Sequence, residues 1–206
     1  MADPELAGPT VAGPNIAALI LAAGASSRMQ GGNKLLEELH HRPLVAHVVR
    51  AALDSSVGSV TAVVGPRAEK VIAVLSSGVV TVRNPDPSQG LASSLKVGLR
   101  ALPADVDGAL IMLGDMPLVR AEDCNALIDA FVSDRVMVPY VEGRRGNPVL
   151  WPVSYFEEIF GIVGDHGARS LLQSSPDRVL EVRLDNRGLL IDIDTPADLD
   201  QLRNTS

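Results

Sequence analysis

The residues with the clearest chemical potential lie in a loop that follows the first apolar run of the chain. From position 21 to 35 the sequence reads L-A-A-G-A-S-S-R-M-Q-G-G-N-K-L, with three glycines, two cations and no acid. Small residues let backbone N–H groups approach phosphate oxygens, Arg28 can bind two oxygens at once, and Lys34 adds a point charge. The loop matches neither the P-loop nor G-x-G-x-x-G. Its composition indicates a triphosphate site, and the alternative is a flexible connector whose charges face water.

Two acidic motifs supply candidate metal ligands. Asp115 comes directly after the apolar run 109–113, in G-D-M-P, and the motif D-I-D-T-P, with Asp192 and Asp194, follows another apolar run. Alternation along an extended segment would place Asp192 and Asp194 on one side, so either could join Asp115. Proteins bind Mg²⁺ through one or two carboxylates together with substrate phosphates. The alternative is an ordinary turn and a helix entry capped by Thr195 or Asp194.

Short apolar runs alternate with amphipathic segments, which is the pattern of a parallel sheet covered on both faces. The runs predict strands at 16–21, 59–64, 79–82, 109–113, 136–138, 178–184 and 189–193, and helices at 44–53, 91–102, 122–132 and 197–203. The expected fold is a doubly wound, mostly parallel α/β sandwich in one domain over 16–203, after a loose tail at 1–15. Ligands of such sheets bind beyond the carboxyl ends of the strands.

Composition narrows the class of protein. The 206 residues include 18 Lys plus Arg against 25 Asp plus Glu, a formal charge of −7, so no broad positive field is available for nucleic acid. The one cysteine, Cys124, excludes an internal disulfide and is expected to be a small buried residue. The apolar stretch 16–23 is shorter than the roughly 20 residues of a membrane span, and the first fifteen residues lack the signal-peptide pattern. We expect a cytoplasmic protein without nucleic-acid or membrane partners.

Taken together, the motifs resemble the MobA-like nucleotidyltransferase family, specifically its molybdenum cofactor cytidylyltransferase branch. The branch pattern is L-A-A-G-x-S-x-R-M-G-x-x-K, then G-D-M-P, then D-I-D-T-P-x-D-L. This chain has L-A-A-G-A-S-S-R-M-Q-G-G-N-K at 21–34, G-D-M-P at 114–117 and D-I-D-T-P-A-D-L at 192–199. Gln30 departs from the glycine that usually follows the methionine, and Gly31 could restore the turn. The resemblance implies a Rossmann-like nucleotidyltransferase fold.

The resemblance also implies roles for individual residues. The glycine loop would hold the triphosphate, Asp115 and Asp194 would bind the metal, and Arg28, Lys34 and Asp115 would form the catalytic set. The implied nucleotide-binding residues are Leu21, Ala22, Ala23, Gly24, Arg28, Lys34, Gln89, Gly90, Ser93 and Ser94. The last four belong to Q-G-L-A-S-S-L, which resembles the motif that lines the nucleobase pocket in relatives. The alternative for the two serines is a helix N-terminal turn capped by Ser88.

The segment 145–151, R-G-N-P-V-L-W, resembles the part of relatives that faces the acceptor, and 164–169, G-D-H-G-A-R, follows in the same half, so both are assigned to acceptor binding. The second contains His166, the one histidine with a plausible site role, because His40 and His41 are expected in an exposed turn. Ala23 stands where members that transfer GMP tend to carry glycine, so the resemblance favours CTP.

The implied reaction moves a nucleoside monophosphate, CMP above all, from the triphosphate to a phosphorylated acceptor such as molybdopterin, with Mg²⁺ as cofactor and release of pyrophosphate. A molybdenum hydroxylase or its maturation factor is the implied protein partner. Because molybdopterin, a sugar phosphate and other phosphorylated metabolites present the same reacting group, the sequence leaves the acceptor open. Two alternatives remain: an NAD(P)H-dependent oxidoreductase similar to nicotine blue reductase, and a non-catalytic nucleotide-binding accessory protein of a molybdenum hydroxylase.

Overall fold

The computed structural model describes residues 13–24, 33–162 and 168–204. Its strands are β1 (Ile16–Ala22), β2 (Glu38–Leu39), β3 (Arg42–Pro43), β4 (Ser59–Val64), β5 (Val79–Arg83), β6 (Gly108–Leu113), β7 (Val136–Val141), β8 (Arg144–Arg145), β9 (Val149–Pro152) and β10 (Val179–Arg183). Its α-helices are α1 (Leu44–Leu53), α2 (Glu69–Ala73), α3 (Leu91–Arg100), α4 (Ala121–Asp129), α5 (Phe156–Gly161), α6 (Arg169–Ser174) and α7 (Pro196–Arg203). The main sheet has the order β10-β7-β9-β6-β1-β4-β5, with β8 paired to β7, while β2 and β3 form a separate ribbon.

The central strand β1 is buried along its whole length because helices cover both faces of the sheet. It pairs in parallel with β4 on one side and β6 on the other. Alternate residues such as Ile16 and Ile20 pack in the core with α1, whereas Leu19 packs in the opposite core with Leu95 of α3. An apolar residue at every position is therefore what this strand requires. The expected single-domain, mostly parallel α/β sandwich is confirmed.

The strand predicted over 189–193 is wrong. A 3₁₀ helix, Arg187–Leu190, covers its first two residues, and residues 191–193 pair with no strand in the described ranges. Asn186, which is buried, accepts a hydrogen bond from Gly188 N (2.9 Å) and donates one to the Leu118 carbonyl (3.0 Å). These hydrogen bonds of Asn186 make the chain turn at a point where the apolar run alone indicated a strand.

The sequence patterns missed two strands of the main sheet, β8 and β9. β9 lies antiparallel between β6 and β7, so it runs against the direction of both neighbours. The connection that leads into it, residues 142–148, contains the short strand β8 and a cis peptide bond between Asn147 and Pro148. Because β6 and β7 still run the same way, their carboxyl ends meet at one edge of the sheet.

The helices differ from expectation mainly in number and length. α1 begins after Pro43 as predicted, α4 ends at Asp129 instead of position 132, and the short helices α2, α5 and α6 were not predicted. α7 packs on the β2–β3 ribbon in a small third core of Leu39, Leu44, Ile193 and Leu199. Within the described ranges, no helix has both the length and the apolar character needed to cross a membrane.

Candidate active site

Three charged side chains from distant parts of the chain meet at the carboxyl edge of the sheet. Lys34 Nζ lies 2.6 Å from Asp115 Oδ2 and 2.8 Å from Asp194 Oδ1. The side chains of Lys34 and Asp115 are largely buried, and that of Asp194 is 44% exposed. The structure thus brings together three residues that the sequence motifs singled out, with the ammonium between the two carboxylates.

Each of these residues is positioned by backbone contacts close to it. Asp115 follows β6 through Gly114, where an added Cβ would lie 3.2 Å from the Leu21 carbonyl oxygen, so the turn packs tightly against the end of β1. Asp194 follows Ile193, whose N–H donates to the Asp115 carbonyl at 3.0 Å. That hydrogen bond ties the late acidic segment directly to the G-D-M-P turn.

Asp198 fixes the backbone on which Asp194 lies. Its Oδ2 accepts hydrogen bonds from Asp194 N (3.1 Å), Thr195 N (2.7 Å) and Thr195 Oγ1 (2.9 Å). Together with the bond from Asp198 N to Thr195 Oγ1, these contacts form a capping box at the start of α7. The hydrogen bonds from Thr195 and the Asp194 amide hold the pKa of Asp198 below its ordinary value. Thr195 is the cap, as one alternative predicted, whereas Asp198 was missed although Thr-x-x-Asp is a recognisable signal.

The two carboxylates also affect the pKa of Lys34. Burial alone would lower the pKa of Lys34, but its hydrogen bonds and charge interactions with Asp115 and Asp194 outweigh burial and raise it. Asp115 Oδ1 is buried and has no hydrogen-bond partner in the described structure. A buried carboxylate oxygen without a partner is costly unless another group binds it. The two carboxylates fit a divalent cation that is held jointly by protein carboxylates and substrate phosphates, because Mg²⁺ commonly binds in that way.

The serines of the Q-G-L-A-S-S-L motif contact a buried amide. Asn84 follows β5, is 1% exposed, and donates from Nδ2 to Ser94 Oγ (2.9 Å) and Ser93 Oγ (3.1 Å). Ser94 is itself buried inside α3, whereas Ser93 is half-buried. Asn84 was not singled out from the sequence, since an Asn after a strand is an ordinary turn residue.

The turn before α3 differs from the capping alternative. Gly90, at φ +88°, is the N-cap of α3, and no side chain caps that helix. Ser88 instead bonds Asp86, which caps the preceding 3₁₀ helix through Ser88 N at 3.2 Å and also accepts from Gln89 Nε2 at 2.8 Å. Ser88 as the cap of α3 is therefore wrong. Gln89 and Gly90 connect this 3₁₀ helix to α3.

A cavity of about 630 Å³ opens beside the charged residues. Met116 and Asp192 both line it, so it adjoins the segments that carry Asp115 and Asp194. Its floor is apolar and includes Trp151, while its polar lining residues are Arg144, Arg145, Asn147, Gln173 and Asp192. Arg145 is paired with Glu181 at 2.8 Å, and Arg144 is exposed. The segment 145–151 therefore contributes directly to the cavity.

Several residues of the predicted site can also be placed. Leu21, Ala22 and Ala23 are buried at the end of β1, and nothing lies within 4 Å of a Cβ added at Gly24. Cys124 is fully buried, and burial raises the pKa of its thiol to about 12. His40 and His41 form an exposed turn at positive φ. The positions of Arg28, Gln30, Gly31 and His166, like residues 1–12, lie outside the described residues.

A family model for the MobA-like NTP transferase domain matches residues 18–179 of this chain. The chain belongs to the MobA-like NTP transferase family. Rv0371c from Mycobacterium tuberculosis superimposes with a TM-score of 0.84 at 26% identity, over 94% of this chain and 100% of that one. A nucleotidyl transferase from Methanothermobacter gives a TM-score of 0.82 at 25% identity, over 94% of this chain and 98% of the other. Both neighbours cover nearly the whole chain, in agreement with the match to the family model.

Curated relatives match a shorter part of the chain. GlmU of Rhizorhabdus wittichii, a bifunctional protein, is 35% identical over 136 residues, which is 65% of this chain and 30% of GlmU. The MobA-like chain therefore spans about a third of the length of such relatives. Membership of the family is confirmed, while the cytidylyltransferase branch stays a prediction.

Proposed function

We propose that this MobA-like NTP transferase moves CMP from CTP to the phosphate group of a small acceptor, with Mg²⁺ as cofactor and pyrophosphate as second product. The observation that carries the proposal is the placement of Lys34 between Asp115 and Asp194, where β1 and β6 end. In the sequence the glycine loop directly follows β1, and the cavity adjoins the same edge of the sheet. A triphosphate and an acceptor could thus reach one set of charges.

Asp115 and Asp194 are the residues that would hold Mg²⁺. Support comes from Asp115 Oδ1, whose buried position without a partner suits a cation ligand. When bound, Mg²⁺ supplies charge neutralisation at the α-phosphate and at the leaving pyrophosphate. Lys34 adds a fixed positive charge, and its raised pKa keeps it protonated at neutral pH. Loss of one such charge, as in Lys34→Ala, is expected to lower turnover by about 10²–10³.

The transfer step needs positioning more than proton chemistry. An oxygen of the acceptor phosphate forms a bond to the α-phosphorus, while the bond from that phosphorus to the bridging oxygen breaks and its electron pair leaves with pyrophosphate. A phosphate monoester is mostly dianionic at pH 7, so this nucleophile requires no general base. The cationic groups of the site would hold the two anionic substrates together.

The cavity is the proposed acceptor site. Arg144 lines it, is exposed, and directly precedes the segment 145–151, which resembles the acceptor-facing part of relatives. Its guanidinium can bind a phosphate oxygen pair, while the apolar floor would pack against the body of the acceptor. Molybdopterin is the acceptor that the resemblance favours, and a molybdenum hydroxylase or its maturation factor would then receive the product.

A thermal-shift panel tests the nucleotide. We expect CTP with Mg²⁺ to raise Tm by about 5–10 °C, because ligand at 100 times its Kd adds about 2.7 kcal/mol and each kcal/mol is worth roughly 2–4 °C for a chain of this size. The panel includes GTP, ATP, UTP, NADH and NADPH, each with and without Mg²⁺. A shift with NADH or NADPH alone would contradict the transferase and support the oxidoreductase alternative.

Pyrophosphate release tests the acceptor. Candidate phosphate monoesters, molybdopterin among them, are offered with saturating CTP. Arg144→Ala should raise the KM for the acceptor with little change in the KM for CTP, and Arg67→Ala, another exposed arginine, should change neither. A protein that binds CTP but releases no pyrophosphate with any of the phosphorylated acceptors would support the accessory-protein alternative.

A further inference from the structure

The ammonium of Lys34 binds the same two carboxylates that a divalent cation would need. Asp115 Oδ2 lies 2.6 Å and Asp194 Oδ1 2.8 Å from Nζ. Asp115 Oδ1 is buried without a partner, so this carboxylate contacts the ammonium with one oxygen and leaves the other for a metal ion. A metal ion that uses both carboxylates must therefore displace Lys34 or share the carboxylates with it, close to its ammonium.

Sharing is unfavourable for a simple electrostatic reason. A divalent cation in contact with a carboxylate oxygen that is also 2.6 Å from an ammonium would lie within a few ångströms of a like charge, in a pocket where Lys34 and Asp115 are largely buried. Lys34 is also held from two sides, because its Nζ lies within hydrogen-bond distance of both carboxylates. Binding of a metal ion therefore breaks the ion pairs of Lys34. This loss is compensated only when the ammonium binds another anion.

We propose that Lys34 makes metal binding depend on the nucleotide: its ammonium competes with a divalent cation for Asp115 and Asp194, and a triphosphate relieves the competition by drawing the ammonium away. This inference rests on the proposed function for the identity of the anion. When the triphosphate binds, Lys34 leaves the carboxylates and contacts the phosphates instead. The cation and the nucleotide therefore bind cooperatively. Because coupling between two ligands is reciprocal, the cation also strengthens nucleotide binding by the same factor.

The test measures Mn²⁺ binding directly, by electron paramagnetic resonance of free Mn²⁺ and by calorimetry, without any turnover. Lys34→Met keeps the apolar stem and removes the charge. We expect it to bind Mn²⁺ alone at least about tenfold more tightly than the parent, equivalent to about 1.4 kcal/mol, because the competing ammonium is gone. A non-hydrolysable CTP analogue should then strengthen Mn²⁺ binding less in Lys34→Met than in the parent, by about the same factor.

The control removes an equal charge elsewhere. Lys70→Met, in the exposed part of α2, should leave the Kd for Mn²⁺ within about twofold of the parent, which separates competition at the carboxylates from a general change in net charge. A Lys34→Met protein that folds, by its melting curve, and binds Mn²⁺ no more tightly than the parent overturns the proposal.

A second measurement covers the case in which Lys34→Met does not fold. The parent protein is crystallised with Mn²⁺ and no nucleotide. Lys34 Nζ should then lie away from the carboxylate that binds Mn²⁺, and Mn²⁺ on Asp115 with Nζ still within about 3 Å of Oδ2 overturns the competition. Failure of the proposed function is distinct: it would leave Mn²⁺ competition intact while no nucleoside triphosphate is turned over.

Discussion

Replacing Asp115 by asparagine separates its charge from its shape. The carboxylate contacts Lys34 through Oδ2 and has a buried Oδ1 without a partner. Asparagine has nearly the same size, but it presents one neutral oxygen and one NH₂ donor, which repels both a cation and the ammonium. We expect turnover to fall by at least about 10³, equivalent to about 4 kcal/mol, because loss of the metal removes several kcal/mol of transition-state stabilisation.

The effect on folding should be much smaller than the effect on catalysis. Lys34 keeps its contact with Asp194, so Asp115→Asn loses one charged hydrogen bond, worth roughly 1–2 kcal/mol. At about 2–4 °C per kcal/mol for a chain of this size, Tm should fall by about 2–8 °C. The variant should therefore be folded at assay temperature, which allows the turnover to be interpreted.

The assay is steady-state pyrophosphate release over a range of Mg²⁺ concentrations, with acceptor at saturation. Asp194→Asn should show a smaller loss, because its side chain is 44% exposed and water can replace it. Asp192→Asn is the matched control: the residue lies two positions from Asp194 and lines the cavity, so its Mg²⁺ dependence should equal that of the parent. Folded Asp115→Asn with turnover within about tenfold of the parent would refute the metal assignment.

Three further predictions concern the core that supports the site. Asn186→Ala should lower the free energy of unfolding in urea by about 2–4 kcal/mol, because it removes the 2.6 Å hydrogen bond to buried Asp123; an effect below 1 kcal/mol would contradict this anchor. Gly98→Ala should lower the free energy of unfolding despite a helix-propensity gain of about 1 kcal/mol, since the new Cβ would lie 2.5 Å from Leu19 Cδ1. Gly161→Ala should not lower it, because nothing lies within 4 Å of the new Cβ. Cys124 should react with a thiol reagent at pH 8 only on unfolding, because burial raises its pKa to about 12, and fast labelling of the folded protein would be inconsistent with that burial.

The glycine loop, Lys34 and Asp115 could be found from the sequence because local pattern was enough. A buried strand that ends in a glycine-rich loop, and a second that ends in Gly-Asp, deliver their residues to one sheet edge whatever the details of packing. The motif D-I-D-T-P was different, since its spacing made Asp192 and Asp194 equivalent candidates for a place beside Asp115. Contacts with distant residues decided between them, through the Ile193 amide on the Asp115 carbonyl and the ion pair of Asp194 with Lys34.

The two serines of the Q-G-L-A-S-S-L motif show the same difference between what the sequence determines and what the tertiary structure determines. Ser93 and Ser94 are adjacent in sequence and chemically identical, so no local signal could rank them. In the structure Ser94 turns into the core against Asn84, while Ser93 is half-buried, because neighbouring helical residues face directions about 100° apart. Only the position of α3 on the sheet determines which of the two is covered.

By itself the sequence determined the layer architecture, the family and the types of residue that a nucleotide and a cation would need, since apolar periodicity and short motifs are local properties of the chain. The tertiary structure alone decided that Arg187–Leu190 is a 3₁₀ helix, that β9 enters the sheet antiparallel, and that Lys34 bridges two carboxylates far apart in sequence. Those features depend on buried hydrogen bonds and ion pairs between distant residues. Their energies exceed local conformational preference, and they exist only once the chain has folded.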